Sequence, residues 1–300
     1  MPVTSPFAAK LAAIPSRRAQ IVVDGVSTAY WNYGPADGPI SLVLVHGFRG
    51  DHHGLEPFVA ELGGDLRIIV PDVPGFGLSS DVPGAQGIAA YASWLRAFCS
   101  EVGTSRQTVV LGHSFGSIVV SAALAGGLDV SHAILVNPIA ANALHGPRGI
   151  LTKLAVFYYK LSAVLPEKLG FALLKNPGIV RIMSVAMAKT KDPDLRAWIH
   201  DQHDQYFSHF STRRGVLEAF ETSVSSDVST YADSIHQEVL MIVAELDDIT
   251  ALPEQRVLAA RLAHAQLKVI PSVGHLVHYE APALAAGYIR AFVEQGQATA

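Results

Sequence analysis

Gly112-His113-Ser114-Phe115-Gly116 follows the apolar, β-branched run Thr108-Val109-Val110-Leu111. It precedes Ser117-Ile118-Val119-Val120-Ser121-Ala122-Ala123-Leu124, small and apolar enough for a buried helix. A strand that turns at once into a helix strains the backbone at its apex and brings the residues two before and two after too close for side chains. Glycines at 112 and 116 meet that demand. Ser114 is left at the strand tip beside the positive end of a helix, the geometry of a nucleophile elbow. Small residues also cluster in ordinary turns, so the pentapeptide needs support from the rest of the chain.

A serine hydroxyl needs a base to become a nucleophile, and the base needs an orienting acid. With the serine on an elbow, the acid and then the histidine follow along the chain. Val239 to Ala244 reads as a buried strand running into Glu245-Leu246-Asp247-Asp248-Ile249-Thr250, and Leu267 to Ile270 leads to Pro271-Ser272-Val273-Gly274-His275. An acid after one strand and His275 after the next reach Ser114 from neighbouring strands of one sheet. Asp247 and Asp248 are adjacent, with side chains pointing in different directions. Asn137, at the end of a strand over 132–137, holds no carboxylate charge and is a weak alternative. Upstream, Leu42-Val43-Leu44-Val45 ends in His46-Gly47-Phe48-Arg49-Gly50. A His-Gly turn there exposes the next N–H, so the backbone N–H groups of Phe48 and Phe115 are the expected oxyanion donors. His46, Gly47 and His113 are expected to hold this backbone in place, with Asp248 beside the acid.

These pieces, together with Asp72-Val73-Pro74-Gly75-Phe76-Gly77-Leu78-Ser79, resemble the α/β-hydrolase family in kind and order. The resemblance covers roughly residues 20–137 and 234–297. It implies an α/β fold with a mostly parallel central sheet, helices on both faces and a helical cap insertion. The family spacing places the acid at Asp247. The implied activity is that of a serine hydrolase with a Ser114–Asp247–His275 triad, acting without metal or cofactor. Epoxide hydrolases and haloalkane dehalogenases carry an aspartate at the elbow and are set aside. A carboxylic ester of a small-to-medium apolar substrate is the first expectation. C–C bond hydrolysis of a ring-cleavage product, amide, lactone, thioester or perhydrolase chemistry, and a small-molecule receptor on the same fold are the alternatives.

The chain is organised accordingly. Asp24-Gly25 between Gln20–Val23 and Thr28–Tyr33 signals a hairpin. Short apolar strands then alternate with helices to about residue 137 and again from 238, the pattern of a parallel sheet covered on both faces. Residues 1–137 and 234–300 are the expected core, and 138–233 the cap. The cap is helical in pattern, apolar in its first half, and broken by Pro147, Pro166, Pro177 and Pro193. Most of its apolar residues should pack on one another, with a handful facing substrate.

Other conspicuous residues receive structural readings. Asp72 should bond loop backbone, Arg49 should lie at the surface near the mouth, and His278 should pack toward the last helix. His52 and His53 lack a third ligand at metal spacing. The run His200-Asp201-Gln202-His203-Asp204, with His209, offers a helix face but no metal is needed. Trp198 reads as a packing anchor, and Arg213-Arg214 as a solvated face. With 50% hydrophobic and only 16% charged residues, the chain is globular. A net charge of −4 makes no electrostatic case for nucleic acid or an anionic membrane. No basic start leads into an apolar run, and no charge-free apolar stretch is long enough to span a bilayer. The lone Cys99 excludes an internal disulfide. A cytoplasmic protein acting on a small molecule is expected.

Overall fold

A computed structural model of the protein describes residues 3–85, 87–141 and 149–298. The chain opens with a β-hairpin. Strands β1 (Ser16–Val23) and β2 (Val26–Tyr33) pair antiparallel around Asp24 and Gly25, whose φ angles are 49° and 78°. Positive φ at both turn residues matches the right-handed twist of the flanking strands. The remaining strands are β3 (Leu42–Val45), β4 (Ile68–Pro71), β5 (Val109–His113), β6 (His132–Val136), β7 (Glu238–Ala244) and β8 (Ala265–Ile270). They complete a sheet of order β1-β2-β4-β3-β5-β6-β7-β8, parallel throughout except at the two pairings of β2.

The described α-helices are α1 (Ala8–Ala12), α2 (Glu56–Leu62), α3 (Ile88–Val102), α4 (Phe115–Ala125), α5 (Gly149–Val164), α6 (Glu167–Leu174), α7 (Pro177–Met187), α8 (Pro193–Tyr206), α9 (Arg213–Ser225), α10 (Leu252–Arg261), α11 (Val277–Glu280) and α12 (Pro282–Ala298). The central strands are apolar at nearly every position because both faces are covered. Val43, Val45, Val110 and Leu135 pack toward α3 and α4, where Trp94, Phe98 and Ile118 meet them. Leu42, Leu44, Leu111 and Ile134 pack the other way, against Phe58 of α2 and Ile289 of α12.

Between β6 and β7 lie α5 to α9. Among the described residues, an isolated β-bridge, Phe76 to Phe210, joins this insertion to a core loop. Pro147 falls outside the described residues. Pro177 and Pro193 start helices rather than break them. They occupy the first helical positions behind Asn176 and Asp192, whose side chains accept the next backbone N–H groups.

Candidate active site

Phe48, Ser114, Asp247 and His275 follow β3, β5, β7 and β8, all beyond the carboxyl ends where open α/β sheets bind ligands. Ser114 has φ 52° and ψ −118°, a strained conformation for a residue with a side chain. A Cβ on Gly112 would sit 2.4 Å from the Gly116 carbonyl oxygen, and one on Gly116 would sit 2.3 Å from that of Val45. Both glycines are therefore demanded by backbone contact. A Cβ on Gly47 would meet that of Ser114 at 3.2 Å, so the turn before Phe48 lies against the elbow. Phe115 opens α4, where the first N–H groups have no acceptor within the helix.

The Ser114 hydroxyl donates to His275 Nε2 at 2.8 Å, and His275 Nδ1–H donates to Asp247 Oδ2 at 2.7 Å. Asp247 also accepts from the N–H groups of Ile249 and Thr250 at 2.7 and 3.0 Å, and from the Thr250 hydroxyl at 2.5 Å. Burial pushes the Asp247 pKa up, but the adjoining His275 and these hydrogen bonds outweigh it and hold the pKa at about 2. Asp248 turns outward, its side chain 68% exposed, and accepts from Lys189 Nζ at 2.5 Å. Of the two adjacent acids, Asp247 is the one beside His275.

Several side chains hold this arrangement. His46 Nδ1–H donates to the Gly47 carbonyl at 2.9 Å while Nε2 accepts from Val73 N–H at 2.8 Å. That pairing needs a neutral ring, and burial lowers the His46 pKa. His113 Nε2–H donates to the His275 carbonyl at 3.3 Å. Burial, and then the neighbouring His275, push the His113 pKa down to about 3. Asp72 accepts from the backbone and ring N–H of His52, each at 2.9 Å, and from Leu78 N–H at 2.8 Å, as loop anchoring requires.

Two such groups escaped the sequence reading. Asn137, at φ 43°, donates to the His275 carbonyl at 2.9 Å and accepts from Ala244 N–H at 2.8 Å. It ties the histidine loop to β7. Its place at a strand end beside the elbow was the available signal. Glu280 accepts from Gly274 N–H at 2.9 Å and from the N–H groups of Lys189 and Thr190, joining that loop to the insertion.

Arg49 corrects an expectation: it is fully buried rather than at the surface. It donates to the carbonyls of Phe207 and Leu174 at 3.0 and 2.7 Å and to the Tyr159 hydroxyl at 3.2 Å, between the rings of Phe207 and Phe210. The core loop thereby grips three parts of the insertion. His278 is buried against His113, Phe58 and Tyr279, and its Nδ1 has no hydrogen-bond partner among the described residues. Asp51 supplies the third candidate ligand that was not counted beside His52 and His53, their ligand atoms lying within 4.8 Å of one another. Asp72 already holds His52, and Asp51 holds His53 at 3.0 Å. His200 and His203 share Ser184 Oγ at 2.6 and 2.7 Å, whereas Asp204 turns away to Arg181. Trp198 is buried edge-on against Phe7 and Tyr279. Arg213 caps the end of α5 through the Ser162 and Leu165 carbonyls, and Arg214 donates to Gly84.

Ser114 and His275 open onto a cavity of about 290 Å³. The insertion lines it with Ala155, Tyr159, Met183, Met187, Phe220 and Val224. Among the described residues, no lysine or arginine lines it.

A family model described as the alpha/beta hydrolase family matches residues 42–287. The magnesium-chelatase 30 kDa subunit of Rhodobacter capsulatus is 36% identical over 87 residues, which span 29% of this chain and only 30% of that protein. The proline iminopeptidase PfmaB of Pestalotiopsis fici is 25% identical over 295 residues, 92% of this chain and 99% of that protein. Among solved structures, the esterase EaEST from Exiguobacterium antarcticum superposes with a TM-score of 0.76 at 16% identity, covering 93% of this chain and 100% of the other, a likeness of fold. Because the matched region runs from β3 into α12 and takes in every strand of the parallel sheet, the chain belongs to the alpha/beta hydrolase family.

Proposed function

We propose that the protein is a serine hydrolase cleaving a carboxylic ester of a small-to-medium apolar substrate through an acyl-enzyme on Ser114. The hydrogen-bonded series Ser114, His275, Asp247, open to a largely apolar cavity, carries this reading. In this mechanism His275 Nε2 takes the hydroxyl proton as Ser114 Oγ attacks the ester carbonyl. Asp247 keeps the imidazole in the required tautomer and stabilises its cation. The N–H groups of Phe48 and Phe115 receive the oxyanion, each worth roughly 3–4 kcal/mol by removal. His275 passes its proton to the departing alcohol. Water, deprotonated by the same nitrogen, then attacks the acyl carbon and releases Ser114. Asn137 and His113 hold the His275 loop, and the insertion serves as the cap that shapes the acyl pocket. None of these steps calls on a metal or cofactor. The lone, buried thiol of Cys99 fits a cytoplasmic setting.

Likeness to a protein named a proline iminopeptidase over nearly the whole chain favours a second reading, amide-bond hydrolysis at the same serine. C–C cleavage of a carboxylate-bearing product is less well served, since the described lining offers no lysine or arginine. The test is turnover of p-nitrophenyl esters from acetyl to dodecanoyl and of prolyl p-nitroanilide, with Ser114→Ala in parallel. We expect ester turnover that peaks at one acyl length and falls at least about 10⁴-fold in the variant. A folded protein inert to esters but active on the anilide would replace the first reading with the second. Labelling of Ser114 by a fluorophosphonate without turnover of either would defeat both readings and favour a receptor or a C–C hydrolase.

A further inference from the structure

The insertion leaves large apolar side chains in solvent: Leu154, Phe157, Leu161 and Val164 on α5, Leu169 on α6, and Ile182 and Val185 on α7. The spacing of the four on α5 places them on one helix face. The other side of α5 turns inward, where Ala155 and Tyr159 line the cavity and Ser162 is buried. Helix α7 repeats this, with Met183 and Met187 on the cavity. The charge on these helices and the turn after them is one-sided, although Lys189 of that turn is paired with Asp248. From Gly149 to Lys189 the cations are Lys153, Lys160, Lys168, Lys175, Arg181 and Lys189, and the one acid is Glu167. Six less one gives +5 in a chain of net −4, so the whole-chain charge conceals a strongly basic segment. Lys153, Lys160, Lys168 and Lys175 are exposed, as is Arg181, which pairs with Asp204 of α8.

Exposed apolar side chains flanked by lysines mark helices that lie in a membrane interface. Spanning is excluded by the same residues. The stretch Glu167–Met187 has the length and mean hydropathy of a span, but it is broken at Lys175-Asn176 ahead of Pro177 and carries three cations that hydrocarbon disfavours. A second copy of the chain is a poor occupant, because a two-fold contact would set this basic face against itself. We propose that the outward faces of α5, α6 and α7 dock on an anionic lipid surface. Their apolar side chains enter the headgroup boundary, and their lysines meet lipid phosphates. This docking does not depend on which bond Ser114 attacks.

Flotation of the whole protein with vesicles of phosphatidylcholine alone, or mixed with phosphatidylglycerol, tests it. We expect binding to the mixed vesicles that weakens as salt rises, and little binding to the neutral ones. The triple variant Lys153→Glu, Lys160→Glu, Lys168→Glu should lose about a hundredfold in vesicle affinity. Leu154→Ser with Phe157→Ser should lose about tenfold or more. Circular dichroism and thermal unfolding check that the variants fold, and folded variants that bind the mixed vesicles as the native protein does overturn the proposal. Binding to neither vesicle, or equal binding to both, overturns the proposal. A dimer in solution that the Leu154 and Phe157 changes dissociate also overturns it, and assigns the face to a second copy.

Discussion

Around Ser114, buried polar groups are closed by partners in the same loop or on adjacent strand ends: Asp247 by Ile249 and Thr250 of its own loop and by His275, and Asn137 by Ala244 and His275. The insertion is held differently. Arg49 reaches across the molecule to Tyr159, Leu174 and Phe207, Glu280 holds Lys189 and Thr190, and Ser184 sits between His200 and His203. The groups proposed to react are thus registered by the sheet, whereas the walls of their cavity are registered by a few long-range ties. Damage to the first should appear in the chemical step. Damage to the second should appear in substrate fit and local stability.

The largest expected effect lies at the strand ends. With His275 left in the wrong tautomer, Asp247→Asn should lower kcat about 10⁴-fold, measured on the best p-nitrophenyl ester with binding of a product analogue as the control for fold. A smaller loss separates the regions by pH. His113 of the elbow and His203 of the insertion are both pushed down to about 3, chiefly by burial, from an ordinary 6.5. Above 6.5 neither the folded nor the unfolded chain binds protons at these rings. Below it, only the unfolded chain does, so stability falls as pH drops toward about 3. Each ring contributes about 1.4 kcal/mol per pH unit in that window. Asp247 adds a loss below 3.8, complete near its folded value of about 2. Chemical denaturation across pH should show the slope, and His203→Gln should remove one proton from it. A slope unchanged by that variant would place the coupling elsewhere.

Arg49→Met should loosen the insertion while sparing the sheet. Amide exchange in α6 and α8 should quicken about tenfold, and β5 should keep its protection. Equal acceleration in β5 would mean that Arg49 supports the whole fold. The smallest effect belongs to Asp248→Asn, which removes only an exposed pair with Lys189 and should change kcat by less than about threefold.

How much could be read beforehand follows from the range of the forces involved. Gly112 and Gly116 were legible because the steric demand of an elbow acts within five residues. The apolar strands were legible because a sheet covered on both faces needs apolar side chains throughout. The hairpin at Asp24-Gly25 was legible from its backbone requirement, and so was the place of Ser114 beside a later acid and histidine. The adjacent Asp247 and Asp248 could not be separated by the bare residues. The family spacing favoured Asp247, and the fold then turned Asp248 to solvent.

Arg49 is the plainest limit. Arginine is ordinarily exposed, and its acceptors here lie 110 to 158 positions away, so nothing near it announces burial. Asn137 was weighed only as a failed acid, because the carbonyl it holds belongs to a loop more than a hundred residues downstream. The charge of the insertion was present in the sequence but averaged away over the whole chain. By itself, the sequence determined the elbow, the strand pattern, the order of Ser114, a later acid and His275, and the basic content of residues 149–189. Only the tertiary structure decided that Arg49 lies inside, that Asn137 ties the histidine loop, and that Phe157 faces outward while Tyr159 faces the cavity. Backbone sterics and periodicity act over a few residues, whereas burial is set by what distant segments bring against each side chain.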